Sequence, residues 1–285
     1  MWAAIDFGIS NTDVVVWDGE SDVATVRHWK QAYQGEPSAE MVRRLLAQGD
    51  VTPRQLHALA VTGGHHRGLP TTIDGCALVG VNEVDAIARG GQALAQLPDR
   101  ATPVLVVSGG SGVAMIAARD DRFAHVTGSG VGGGAMLGLS KLLIQTTDPG
   151  EIDGLALAGN ANHVDLALID VVSGPIGSLP PDTTAVNFGR VARLDRPPAR
   201  ADLAAAVVTL VSQVIGTIAV NAARAQAIEH VVVIGHLTDM HSIRTQISHV
   251  GRFFGLPIQT PAPAGHATAL GALLSLPAPN TMRGE

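Results

Sequence analysis

Cys76 is the one cysteine in a chain of 285 residues, so neither an internal disulfide nor a Cys-based zinc site can form. No helix start or basic neighbour is placed to activate its thiol, and it reads as a small buried hydrophobe. Aromatic residues make up only 3% of the chain, which leaves Ala and Val to build a core of many small side chains. Charge is sparse as well: 15% of residues are charged, the net charge is −6, and no basic cluster stands out. That balance lacks the electrostatic footprint of a nucleic-acid partner. No signal peptide is expected, because Asp6 interrupts an opening that reads as a strand. The uncharged stretch 203–223 passes for a membrane span by length. Thr209, Ser212, Gln213, Thr217, Asn221 and Arg224 recur at steps of three to four, however, and form a polar stripe on one helical face. The stretch therefore reads as a long helix packed at a domain junction, with no membrane partner and a cytoplasmic location.

Glycine is plentiful, with 33 residues, and it is concentrated in turns. In 128–134, five of seven positions are glycine, and the run feeds directly into a helical pattern. Bare backbone before a helix start offers free N–H groups and the positive end of the helix dipole, a setting that suits phosphate. A second such turn, Asp6-Phe7-Gly8-Ile9-Ser10-Asn11-Thr12, follows the first strand, and a third, Gly109-Gly110-Ser111-Gly112, follows a mid-chain strand. Three phosphate-type turns point to a nucleotide enzyme. Gly128, Gly130 and Gly133 also fit the G-x-G-x-x-G spacing of dinucleotide oxidoreductases. The strand before them ends a meander and opens no βαβ unit, which argues against that class.

Apolar and β-branched runs predict strands at 2–6, 13–18 and 22–28, a helix at 38–48, strands at 57–61 and 76–80, and a helix opening at about Asn82. The pattern then restarts, with strands at 104–107, 113–118 and 123–126 and helices at 133–145 and 150–158. An ordered loop at 174–200 is expected to reach a site. Beyond it come a helix at 201–227, a strand at 231–234, a helix near 239–250, a strand near 257–260 and a last helix at 266–275. Each half opens with a three-strand meander whose first turn carries glycine, a weak repeat of architecture. The expected fold is α/β, in domains 1–100 and 101–285, with the last helix able to pack back on the first and nucleotide bound in the cleft between them.

Phosphoryl transfer needs positioning and charge neutralisation more than covalent help. Glu83, at a helix start, is a candidate for accepting a proton from the attacking hydroxyl, or else an ordinary first-turn acid. Asp6, at the first glycine turn, is a candidate for metal duty, or else a strand-end acid closing the turn. In the turn Gly63-Gly64-His65-His66-Arg67, Arg67 is the best source of positive charge near a substrate. Adjacent histidines with no third ligand make a poor metal site. Asn187 is the best substrate-side amide, or a loop cap. His236, after Gly235, and His266, after Gly265, fall at turns expected to face the cleft and read as surface or structural residues.

Several motifs, taken together, carry a resemblance: Asp6-Phe7-Gly8, Thr62-Gly63-Gly64, Glu83-Val84-Asp85-Ala86, Gly110-Ser111-Gly112 and Gly130-Val131-Gly132-Gly133-Gly134 with Leu137 to Leu143. Thr184-Ala185-Val186-Asn187-Phe188-Gly189, the strand ending in Gly235, and Gly265 with Ala269-Leu270-Gly271-Ala272-Leu273 complete the set. The chain resembles the actin-like ATPase superfamily, and within it the type II pantothenate kinases, almost end to end. The resemblance implies two ribonuclease H-like domains around a nucleotide cleft, a homodimer, and phosphorylation of the primary hydroxyl of pantothenate by ATP and magnesium in coenzyme A synthesis. By position it implies Glu83 as catalytic base and Asp6 as the magnesium-associated acid. It also implies the 130–134 loop as a phosphate binder. With the other turns, nucleotide contacts are expected at Gly8, Ser10, Asn11, Gly110, Ser111, Gly112, Gly130, Gly132, Gly133, Gly134 and Gly235, and substrate contacts at Gly63, Gly64, Arg67 and Asn187.

Two positions depart from the pattern. Asp13 stands where the family usually has a basic residue, and His125 takes the place of a catalytic-site Arg before the glycine loop. Arg is permanently charged and bidentate, and His at neutral pH is neither. His125 is thus a candidate catalytic residue or a strand-end side chain that bonds locally. The departures leave two alternatives to a pantothenate kinase: a related kinase with a different hydroxyl acceptor, and a non-catalytic ATP-binding regulatory homologue.

Overall fold

The computed structural model describes residues 1–20, 25–33, 35–99, 101–174 and 180–277. The first half opens with an antiparallel meander of β1 (Trp2–Phe7), β2 (Asn11–Trp17) and β3 (Arg27–Ala32). The third strand lies later than the expected 22–28, of which residues 22–24 fall outside the described residues. Its sequence, Arg-His-Trp-Lys-Gln-Ala, is polar because it forms a charged sheet edge, so hydrophobic patterning misplaced it. α1 (Ala39–Ala47), β4 (Ala58–Gly63), the hairpin of β5 (Thr72–Ile73) and β6 (Cys76–Gly80), and α2 (Glu83–Leu94) follow. The sheet order is β3-β2-β1-β4-β6-β5, with β4 parallel to both β1 and β6.

The second half repeats the plan. β7 (Val104–Gly109), β8 (Val113–Arg119) and β9 (Arg122–Ser129) form another meander, followed by α3 (Gly133–Ile144) and α4 (Pro149–Ala158). A small ribbon of β10 (Leu166–Ala167) and β11 (Thr184–Val186), with the single turn α5 (Leu168–Val171), occupies part of the expected loop, whose residues 175–179 lie outside the described residues. α6 (Arg200–Ala225), β12 (His230–Ile234), α7 (His241–Phe253), β13 (Ile258–Gln259) and α8 (Ala267–Leu274) follow among the described residues. The order is β13-β12-β7-β8-β9, with β12 parallel to β7 and β13. Each sheet is thus a three-strand meander extended by parallel strands, with β5 added antiparallel at the far edge of the first.

The two-residue period of the strands sorts their side chains into layers. Ala3, Ile5 and Phe7 pack against Val42, Leu45 and Leu46 of α1, while Ala4, Val15 and Trp17 face Leu270 and Leu273 of α8. In the second sheet, Leu105 and Val107 join the core with α3, α4, α6 and α7, and Val104 and Val106 face Ile87 and Ala88 of α2. The layers therefore run α1, first sheet, α2 with α8, second sheet, and the remaining large helices. α2 and α8 cross backbone to backbone. A Cβ at Gly90 would overlap the carbonyl of Ala267, and one at Gly271 would overlap that of Ala86.

Two expectations meet a different arrangement here. α6 lies in the core of the second half instead of at a junction, because Thr209 and Ser212 of its polar stripe are buried there with the apolar residues. The junction is made by α2 and α8, and α8 returns to β1, β2 and β4 of the first sheet. The expected boundary follows Arg100, which lies outside the described residues. α6 is long and apolar enough to cross a membrane, but most of it is buried inside the protein as a core helix. Cys76 is 2% exposed, and burial pushes its thiol pKa up.

Candidate active site

The same two-residue period that buries Ala4 against α8 puts Asp6 on that side, at the end of β1 where the helices give way to a cleft. Its neighbours across the sheet form a row: Thr62 on β4, Asp6 on β1, Asp13 on β2 and Lys30 on β3 are partners in register. Like charges directly opposite each other disfavour ionisation. Burial, with the charges of Asp13 and Glu83 added, pushes the Asp6 carboxyl up to about 7. Beside it the Thr62 hydroxyl is buried without a partner among the described residues. A partly buried acid held far above its usual range, next to an unsatisfied hydroxyl, is a place where a cation is favoured.

The cleft holds about 530 Å³, within the range of small-molecule sites. One wall is the first glycine turn, with Gly8, Ser10 and Asn11, and the facing wall is the turn Gly110-Ser111-Gly112. The two turns meet where Ser10 Oγ and Ser111 Oγ lie 2.6 Å apart. Glu83 is exposed at the start of α2, where Asn82 caps the helix by accepting the Val84 N–H at 2.8 Å. Ser108 and Ala114 line the same region, and Gly235, with φ +98°, turns the chain out of β12 against Gly109. Met136, Leu137, Leu237 and Met240 form an apolar wall with Pro149.

The glycine loop before α3 behaves differently from expectation. Gly133 lines the cleft, but Gly130, Gly132 and Gly134 do not. The Gly133 N–H donates to Gly110 O at 2.9 Å, and that of Gly134 donates to Ser111 O at 2.8 Å. Those two donors are taken up in bracing the facing turn, so Gly133 and Gly134 offer no free N–H group to a phosphate.

The other candidates lie around this centre. Gly63, with φ +89°, abuts Asp6: a Cβ there would sit 2.8 Å from the carboxylate. Gly64 and Arg67 are exposed beyond it and do not line the cleft. His125 is exposed on edge strand β9; its partner Ile116 packs on the side of the sheet that faces α2, so it shares that side without lining the cleft. Asn187 is drawn away from the lining. Its amide donates to Gln213 Oε1 at 3.1 Å, while the Phe188 N–H donates to the fully buried Asp165 at 2.7 Å.

Sequence reasoning undervalued His236. Its Nε2 lies 3.0 and 2.9 Å from the two carboxylate oxygens of Asp13, and its Nδ1 lies 2.9 Å from Asp239. Burial works against the charged ring, but hydrogen bonds to Asp13 and Asp239 overcome it and hold the imidazole up at about 9. Asp239, for its part, is lowered by His236 against the effect of its own burial. The sequence signal was present: a histidine directly after the strand-ending Gly235, with an aspartate three residues on.

The profile of the Fumble family matches residues 75–274, well over half of the chain. The chain belongs to that family, the type II pantothenate kinases. The type II pantothenate kinase of Bacillus cereus (strain G9842) is 27% identical over 222 residues, covering 76% of this chain and 80% of the relative. That of Staphylococcus aureus (strain USA300) is 31% identical over 184 residues, covering 64% and 68%. Among solved structures, the activator of the 2-hydroxyisocaproyl-CoA dehydratase from Clostridium difficile with bound ADPNP is similar with a TM-score of 0.63. It is 13% identical, and the match covers 95% of this chain and 92% of that one. At that identity the likeness shows the fold, the two-domain α/β architecture of actin-like ATPases and sugar kinases. In this Fumble-family chain, the matched span contains Glu83, both second-half glycine turns and His236, whereas Asp6 and Asp13 precede it.

Proposed function

We propose that this protein transfers the γ-phosphoryl group of ATP to the primary hydroxyl of pantothenate, giving 4'-phosphopantothenate for coenzyme A synthesis. The observation that carries this is the convergence of two glycine turns and two separate carboxylates, Asp6 and Glu83, on one cleft of a Fumble-family chain. The adenine base fits the apolar wall of Met136, Leu137, Leu237 and Met240. The phosphates fit between the turns carrying Ser10 and Ser111, whose hydroxyls can exchange their mutual bond for bonds to phosphate oxygens.

Magnesium fits the donor set. Among the described residues no cluster of three or more ligating side chains forms an all-protein metal cage, and magnesium is usually held by one or two carboxylates together with substrate phosphates. Asp6 is the residue that would hold it, and the ion would supply charge neutralisation at the phosphates. Glu83 accepts the proton of the attacking hydroxyl as that oxygen bonds to the γ-phosphorus. The bridging Pγ–O bond breaks, and ADP leaves with its electron pair. His125 and Arg67 do not line the cleft, and Asn187 ties its loop to α6 through Gln213, so none of the three is given a part in the transfer step. The protein acts in the cytoplasm as a homodimer.

Release of ADP from Mg-ATP by the purified protein is expected to depend on pantothenate. ATP binding with no pantothenate-dependent turnover would overturn the assignment of acceptor.

A further inference from the structure

The charged groups lining the cleft are three carboxylates, Asp6, Asp13 and Glu83, and one base, His236. A nucleotide's phosphates add further negative charge to that space, so each carboxylate there needs a use or a counter-charge. Asp6 and Glu83 have uses in the reaction proposed above; Asp13 has none. It is 5% exposed, stands opposite Asp6 in the sheet, and turns both carboxylate oxygens onto His236 Nε2. On the far side of the ring, Nδ1 reaches Asp239, which Lys30 approaches at 3.4 Å. Both ring nitrogens thus face carboxylates, an arrangement that the imidazolium form satisfies by donating from each, although the Lys30 ammonium also lies 3.4 Å from Nδ1.

The ring is also fixed in place. It lies over Gly265, where any Cβ would overlap it, and it springs from the turn after Gly235. From the neighbouring elements, Asp13 on β2 and Lys30 on β3 face the cluster. So does His266, just before α8, which burial and the charge of the stacked His28 lower to about 4 and so leave neutral. The sum over Asp13, His236, Asp239 and Lys30 is zero. No ring N–H remains for a phosphate oxygen.

We propose that His236 is a positioning residue of the nucleotide site: it acts through Asp13, cancelling and turning aside a carboxylate that would otherwise repel the polyphosphate. The proposal rests on the kinase reading of the cleft. It also accounts for an acid at position 13, where a phosphate site has no need of one. The carboxylate and the imidazolium act as a matched pair, one from each half of the protein.

The test measures binding of adenosine, ADP and ATP, by calorimetry without magnesium, to the wild type, His236→Gln, Asp13→Asn and the double variant. His236→Gln is expected to weaken ADP and ATP at least tenfold, with the loss shrinking at high salt, while adenosine changes less than twofold. Adding Asp13→Asn is expected to bring ADP back to within threefold of wild type. Equal weakening of adenosine and ADP, or a double variant no better than His236→Gln alone, would overturn the proposal and leave His236 a mere bridge between the halves. If His236→Gln does not fold, the double variant decides alone: wild-type ADP affinity supports charge cancellation, and lost affinity overturns it. Normal behaviour of these variants alongside a protein inert toward pantothenate would sink the acceptor assignment and spare this one. A wild type that binds no adenine nucleotide would sink both.

Discussion

Glu83→Gln is expected to lower kcat about a thousandfold while the dissociation constant for ATP stays within twofold. A positioned base contributes about 10²–10⁴ to such reactions, and the amide keeps the size and cap-side position of the carboxylate but cannot take the proton. The residue is exposed at the first position of α2, whose cap is made by Asn82, so the fold loses nothing on substitution. Single-turnover assays with pantothenate, beside ATP titration of the same preparation, measure both quantities. Turnover above a tenth of wild type would remove Glu83 from the role. A parallel loss of ATP affinity would make it a binding residue.

Asp6→Asn is expected to abolish turnover and yet make the metal-free protein more stable. The sign follows from the carboxyl's position at about 7 in the folded chain against 3.8 in the unfolded one. The folded state resists ionisation, so the stability associated with the protonated acid is intact below pH about 4 and is lost as pH rises through about 7. At pH 8 the wild type therefore carries a strain of about 2–4 kcal/mol that asparagine relieves. In EDTA the variant should melt roughly 3–7 °C higher at pH 8, a gap that closes toward pH 4. With Mg-ATP the order should narrow or invert, because only the wild type gains from the ion. Equal melting temperatures at pH 8 would show that the site tolerates the charge unaided, and would count against its need for a cation.

Much of this could be read from the sequence, for identifiable reasons. Strands buried on both faces, such as 104–107 with its unbroken apolar run, and helices that open after Asn82 or the glycine loop announce themselves locally. That Asp6 and Glu83 would stand at element ends was legible because the types of those elements are clear, and both line the cleft. β3 was misplaced because an edge strand need not be apolar. The bracing role of Gly133 and Gly134 could not be seen, since their partners Gly110 and Ser111 lie on another turn of the chain. The pairing of Asp13 with His236 was hidden for the same reason. The two are 223 positions apart, and each looks anomalous until the other is placed beside it.

The return of α8 to the first sheet also bears on how the chain is made. Ala4, Val15 and Trp17 find their cover in Ala269, Leu270 and Leu273, near the end of the described chain. Gly90 and Gly271 let that cover approach at backbone distance, with no room for a substitute. During synthesis the first sheet therefore emerges with this face covered only in part, by residues such as Val26, Val81 and Ala86, until α8 has been made. Domains made in order usually fold in order. Here the first half can begin to fold on its own, and its cover is complete only once α8, from the far half, has also been made.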